Sequence, residues 1–336
     1  MRAPRSLGVA AAAAALLAGG CGGDDSGEPR APQAASSATL RAELKGATQS
    51  RASDFPATNG RSLQQVADAL DLRGPQVGLA GSVYTVGANR LAFGVIDPKS
   101  GFVYGKTAVY VADGPRGRAR GPYPAPADLL VTDPAFRSQT AASEKDVFAA
   151  IYETQVPLTR PGSASILVVT KIRDKLAGAP AQLRVMPVAR DRIPRPGETP
   201  PAITTDTVQS ANGNIASIDT RIPPDDMHDA DFADVIGRKP VALLIATPAL
   251  CASRVCGPVV DIAAQLKATY GDRVQFIHQE VYVGNDPNKG LREPLRRLNL
   301  RTEPWLFVFD RSGRVTARLE GSFGFDAFER GIRSAL

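Results

Sequence analysis

The chain has 336 residues, 43% hydrophobic and 22% charged, which is ordinary for globular protein and leaves room for two domains of usual size. Its formal net charge is +6, but the positive residues are scattered. The one basic run, Pro115-Arg116-Gly117-Arg118-Ala119-Arg120, alternates arginine with small residues and has no aromatic platform beside it. It reads as a solvated loop, and no nucleic-acid partner is implied.

The N-terminus has the layout of an export signal: Arg2 and Arg5, an apolar run from Leu7 to Leu17 too short to span a bilayer, then small residues. Leu16-Leu17-Ala18-Gly19-Gly20-Cys21 resembles a lipobox, although Ala18 stands where that pattern usually has Leu. The resemblance implies a signal peptide over 1–20 and a diacylglycerol on Cys21, whose two chains suffice for stable anchoring. Residues 21–55 begin Cys21-Gly22-Gly23-Asp24-Asp25-Ser26-Gly27-Glu28-Pro29 and continue with Ala, Ser, Pro and Gln. Too little apolar surface is available to offset chain entropy, so a flexible tether is expected.

A domain over 56–190 comes next. Ser62-Leu63-Gln64-Gln65-Val66-Ala67-Asp68-Ala69-Leu70 has a Ser cap, Gln three residues on and apolar residues at helical spacing, which predicts a short helix. Short runs rich in Val, Ile, Tyr and Thr follow: 81–87, 90–97, 106–112, 166–171 and 182–187, broken by Asp97-Pro98, Asp113-Gly114-Pro115 and Pro161-Gly162. This pattern predicts an all-β, antiparallel, immunoglobulin-like sandwich, offering interaction surface rather than chemistry.

Prolines 194, 196, 200 and 201 mark a boundary, and residues 191–238 are expected to be a linker leading into the last domain. Within it Asp225, Asp226, His228, Asp229, Asp231 and Asp234 cluster in sequence without a fixed ligand spacing, so turns and helix starts are the expectation and no metal is assigned.

Residues 239–336 carry a regular pattern: an apolar strand at 241–246, a loop with two cysteines, a helix from Pro258 to Tyr270, a strand at 274–283, a short helix at 291–298, a strand after Pro304, a Ser312-Gly313 hairpin turn into 314–320, and a closing helix from about Asp326. The β-α-β-α-β-β-α order resembles a thioredoxin-like α/β domain. Cys256-Gly257-Pro258 matches the core of that superfamily's Cys-Gly-Pro-Cys motif, Glu303-Pro304 its cis-proline, and Phe309-Asp310-Arg311-Ser312-Gly313-Arg314-Val315 its strand-turn-strand. The resemblance covers about the last hundred residues. Val259 replaces the second cysteine of the motif, and the partner cysteine lies upstream instead, in Cys251-Ala252-Ser253-Arg254-Val255-Cys256.

With Cys21 lipidated, Cys251 and Cys256 form an even pair for an oxidising compartment. A helix start and the intervening Arg254 would each lower a thiol pKa, which makes Cys256 the expected attacking thiol, Cys251 its resolving partner and Pro304 the shaper of a substrate groove. The expected function is therefore a lipid-anchored thiol-disulfide oxidoreductase on the outer face of a bacterial cytoplasmic membrane, acting on protein thiols or disulfides without a cofactor. Two alternatives stay open. One is a non-catalytic binding or assembly lipoprotein with a structural disulfide. The other is a peroxidase: four residues between the cysteines, preceded by Thr247-Pro248, resemble bacterioferritin-comigratory peroxiredoxins, but Pro248 stands where those proteins have Thr or Ser three residues before the nucleophile. His278 could join the cysteines as a copper ligand, as in Sco-type chaperones. Those have three residues between cysteines and a histidine in a later loop, so His278 is expected to be a packed strand residue, and Trp305 a core or rim packing residue rather than a substrate platform.

Overall fold

A computed structural model describes residues 37–70, 75–99, 101–142 and 148–336. The export signal, Cys21 and the glycine-rich start of the tether lie outside the described residues.

The tether expected to run to residue 55 is shorter than that. Helix α1 (Ser37–Ala47) buries Leu44 and Ala47 in the core of the β-domain, and a 3-10 turn at Ala52–Asp54 follows. Apolar residues spaced along 40–47 outweigh the polar composition around them. The capped helix α2 (Leu63–Ala67) forms as anticipated: the Ser62 hydroxyl accepts from the Gln65 amide, and the Gln65 side chain accepts from the Ser62 amide.

Ten strands then form two facing sheets: β1 (Gln76–Leu79), β2 (Tyr84–Thr85), β3 (Gly87–Asp97), β4 (Gly101–Phe102), β5 (Thr107–Ala112), β6 (Arg120–Pro124), β7 (Ala127–Leu129), β8 (Ala150–Leu158), β9 (Gly162–Ile172) and β10 (Lys175–Met186). One sheet runs β1-β3-β8-β7 with β4 on β3, the other β2-β10-β9-β5-β6. Their inner faces share one core, in which Leu91, Phe93, Tyr152 and Val156 of the first sheet meet Val109, Ile166, Val168 and Leu183 of the second. All pairings are antiparallel except β2 with β10, which is parallel. The two-residue β2 returns to the far edge of the sheet after a loop, a non-local pairing that no local pattern announces.

The last hundred residues hold a four-stranded sheet in the order β12-β11-β13-β14: β11 (Val241–Ile245), β12 (Gln275–Gln279), β13 (Trp305–Phe309) and β14 (Val315–Glu320). β11 and β12 are parallel, whereas β13 is antiparallel to both β11 and β14. Helices α4 (Cys256–Tyr270), α5 (Glu293–Arg297) and α6 (Phe325–Arg333) complete the β-α-β-α-β-β-α order. β11 and β13 are buried at every position. Alternate side chains serve opposite faces. Ala242, Leu244, Leu306 and Val308 pack with α4 and α6, while Val241, Leu243, Ile245, Phe307 and Phe309 pack with Leu295 of α5. Trp305 is 1% exposed and stacks on Phe307, a core residue as expected.

Residues 191–238 are not a free linker. Ile193, Ile203 and Phe232, the last in the one-turn helix α3 (Phe232–Val235), fill the second face of the sheet, and Gly197 and Glu198 exchange backbone hydrogen bonds with Val315. The β-domain is tied on by polar contacts: Arg90 donates to the Glu320 and Ser322 carbonyls, the Ser82 and Val83 amides donate to the Glu320 carboxylate, and Asp128 caps α6. The described residues, from Ser37 to Leu336, form one compact unit. Among the described residues no helix is long and apolar enough to cross a membrane.

Candidate redox site

β11 delivers the chain to the loop 246–255, which turns twice and enters α4 at Cys256. The Arg254 amide donates to the Cys251 carbonyl, and Arg254 itself has φ +59, so the loop closes tightly between the two cysteines. Gly257 is needed at this point: a Cβ there would lie 2.2 Å from Thr140 Oγ1 and 2.8 Å from the Thr140 carbonyl oxygen. The residue 138–140 segment thereby seals one side of the helix start, and the Ser138 amide and hydroxyl both donate to Asp261 of α4.

Cys251 and Cys256 are free thiols in hydrogen-bonding contact with each other. Their environments differ. Cys251 is 9% exposed and Cys256 is 0% exposed. The Cys256 thiol and then the Ser253 hydroxyl, 3.2 Å away, stabilise a Cys251 thiolate and hold its pKa down to about 5 against the opposing effect of burial. Burial, followed by the neighbouring Cys251 sulfur, pushes Cys256 well above the ordinary thiol value. The helix-start argument for Cys256 is thus reversed: full desolvation outweighs the partial charge of the helix terminus. Arg254 is exposed.

The peptide between Glu303 and Pro304 is cis, as anticipated, and Pro304 is buried. Glu303 stands within electrostatic reach of both sulfurs. Burial and then the Cys251 charge raise its carboxyl, and it in turn contributes to the rise at Cys256. Tyr282, partly exposed beyond β12, is raised by burial and then by Glu303 and both cysteines. Ser253, Glu303 and Tyr282 therefore complete the surroundings of the thiol pair. Ser253 and Glu303 sit beside residues that the sequence marks out, but nothing local distinguishes Tyr282.

His278 does not join the cysteines. It lies fully buried in β12 with Nδ1 2.7 Å from Asp225 and Nε2 3.2 Å from the Ala246 carbonyl, and its ring is 5.1 Å from that of His228. Of the residues that cluster in sequence from Asp225 to Asp234, only Asp225 and His228 converge on it. They are joined by Asp219, which the sequence does not single out, whereas Asp226, Asp229, Asp231 and Asp234 stay outside the group. Tertiary contact rather than sequence spacing brings these four residues together.

No protein-family model and no curated protein matches the chain. Solved structures similar to part of it include a Chlorobium tepidum protein assigned as a thiol:disulfide interchange protein DsbE, at 16% identity and TM-score 0.31, covering 42% of this chain and 98% of that one. A thioredoxin-family thiol:disulfide interchange protein from Chlorobium tepidum TLS is similar at 19% identity and TM-score 0.28, over 42% of this chain and 97% of that one. An endo-beta-1,4-mannanase from Thermotoga petrophila is similar over 37% of this chain at TM-score 0.20 and 11% identity. These likenesses are too weak to place the chain in a family.

Proposed function

We propose that the protein is a thiol-disulfide oxidoreductase with Cys251 as the attacking thiolate and Cys256 as the resolving thiol. The observation that carries this reading is the opposed pair of environments: Cys251, 9% exposed, is held low, and its neighbour Cys256, fully buried, is held high. The thiolate is the nucleophile, so Cys251 attacks a sulfur of a substrate disulfide and forms a mixed disulfide, releasing one substrate thiolate. Cys256 then gives up its proton and attacks Cys251 Sγ. The Cys251–Cys256 disulfide forms, the second substrate thiolate leaves, and two electrons have passed to the substrate. Burial and the Cys251 thiolate, with a further contribution from Glu303, hold the resolving thiol protonated until the first step has removed the thiolate charge beside it. The reverse sequence oxidises a substrate dithiol.

In this reading Cys21 carries a lipid that anchors the chain outside the cytoplasmic membrane, the two-sheet half is an immunoglobulin-like interaction or spacer module, and protein thiols or disulfides are the substrates. Replacing Cys256 by Ser should trap a mixed disulfide between Cys251 and a peptide disulfide, and replacing Cys251 by Ser should abolish trapping. The wild-type pair should interconvert reversibly between about −120 and −300 mV, the span of known couples on this fold. Failure of both measurements would remove the redox reading. Replacing Cys21 by Ser should release the protein from the membrane fraction.

The low value at the upstream cysteine also suits peroxide reduction, in which a Cys251 thiolate is oxidised to sulfenic acid and Cys256 condenses with it, releasing water. Stopped-flow consumption of hydrogen peroxide by the reduced protein separates the two readings.

A further inference from the structure

Asp219, Asp225 and His228 come from the segment that crosses from the two-sheet half to the last sheet, and His278 comes from β12. One ligand atom of each lies within 4.8 Å of the other three. Their side chains are 0%, 1%, 1% and 0% exposed, respectively. His228 Nε2 is 3.4 Å from Asp225 Oδ1 and 3.6 Å from Asp219 Oδ2, and His278 Nδ1 is 3.8 Å from Asp219 Oδ1. Neither ring nitrogen of the buried His228 has a hydrogen-bond partner, which is costly for a polar side chain removed from water. Its Nε2 is directed at two carboxylates that other groups already hold. The Arg221 and Asp225 amides donate to the two Asp219 oxygens, and the Met227 amide donates to Asp225 Oδ1.

His278 shows the complementary arrangement. Its Nε2 can donate to the Ala246 carbonyl 3.2 Å away, which would leave Nδ1 free to ligate an ion in place of the proton that it shares with Asp225 Oδ2, 2.7 Å away. Histidines that ligate metals are held this way, the second ring N–H given to a carbonyl or carboxylate. Glu280, also fully buried, places a further carboxyl group nearby, with Oε2 unpartnered. The pocket is therefore rich in carboxyl groups.

We propose that Asp219, Asp225, His228 and His278 form a four-ligand site for one divalent transition-metal ion, zinc being the ion that its donors suit best. Bonds of about 2.0–2.1 Å in a tetrahedron put ligand atoms roughly 3.3 Å apart, close to the 3.4 and 3.6 Å separations around His228, while His278 Nδ1 and Asp225 Oδ2, 2.7 Å apart across a shared proton, would separate when an ion replaces it. Two imidazoles disfavour calcium and magnesium, which take oxygen donors, and the absence of sulfur from the set disfavours copper(I). Four buried protein ligands leave no open position, so the ion would be structural. It would fasten the 219–228 segment to β12 and, through Ala246, to the root of the cysteine loop. This site is independent of the redox reading.

The full-length chain carrying Cys21→Ser, Cys251→Ser and Cys256→Ser excludes thiolate binding. After chelator treatment and dialysis it should take up one equivalent of zinc by calorimetry, and one equivalent of cobalt(II) with the visible spectrum of a tetrahedral site and no thiolate charge-transfer band. His228→Ala or Asp219→Asn should weaken zinc binding by more than about tenfold, whereas Asp226→Asn should leave it unchanged. No stoichiometric uptake by the cysteine-free chain, or uptake that neither ligand variant weakens, would overturn the proposal. Should a ligand variant fail to fold, the cobalt spectrum of the cysteine-free parent still decides.

Discussion

The Ser253 hydroxyl lies 3.2 Å from the Cys251 sulfur, on the turn that leads into α4. With the Cys256 thiol it supplies the hydrogen bonds that hold Cys251 to about 5. Reactivity of Cys251 should therefore be fully developed at neutral pH and be lost only as pH falls through about 5. Ser253→Ala should move the midpoint of the alkylation-rate profile upward by roughly one unit, since a hydrogen bond to a charged group is worth about 1.5–3 kcal/mol and one unit is 1.36 kcal/mol. Cys256→Ala removes the larger contribution and should move it further. An unchanged midpoint in both variants would count against this account of the thiolate.

Glu303 acts on the buried thiol. Because its charge contributes to the rise at Cys256, Glu303→Gln should lower the pH at which Cys256 reacts, and Glu303→Asp should retain much of the wild-type value. Alkylation of Cys256 against pH in a Cys251→Ser background, followed by mass spectrometry, reads the effect.

Asp128 of β7 accepts from the Gly324, Asp326 and Ala327 amides and so caps α6 from the other half of the molecule. Asp128→Ala should cost about 1–2 kcal/mol, at the upper end of N-cap losses, measured by chemical denaturation. Burial raises the carboxyl from 3.8 to about 6, so between those values the folded chain holds a proton that the unfolded chain has released. This contribution to stability is complete below about 4 and is lost as pH rises through about 6. Asp128→Asn should flatten the stability profile across that window.

Arg221 and Asp261 form a buried pair at 2.9 Å, their side chains 6% and 1% exposed. Arg221 also donates to the Pro223 and Phe136 carbonyls, which joins α4 to two loop segments. Asp261→Ala strands the guanidinium and should cost about 3–5 kcal/mol, while an Arg221→Met/Asp261→Leu double replacement should recover most of the loss. A double-mutant cycle by urea denaturation tests both statements.

Strands with strong local pattern were legible: the apolar runs that become β3, β5, β9, β11 and β13 announce themselves, as does the Ser62–Gln65 cap. β1, β4, β6, β7 and β8 have no counterpart among the runs read from the sequence. β6 contains two prolines, β7 has three residues, and β8 is interrupted by Glu153, Gln155 and Pro157, so their strand character comes from partners across the sheet. At the candidate redox site the two cysteines and the Glu303-Pro304 step were visible, but the difference between the thiols was not. Desolvation depends on what covers a residue, and Thr140, more than a hundred residues away, covers the helix start.

Periodicity and turn chemistry thus suffice for the β-α-β-α-β-β-α order of the last hundred residues, because strands and helices impose repeats on neighbouring positions. Which thiol is the more deeply buried, that residues 191–238 complete a core, and that Asp219, Asp225 and His228 meet His278 depend on segments brought together by packing. Burial and charge are sums over spatial neighbours, and only the folded chain determines which those are.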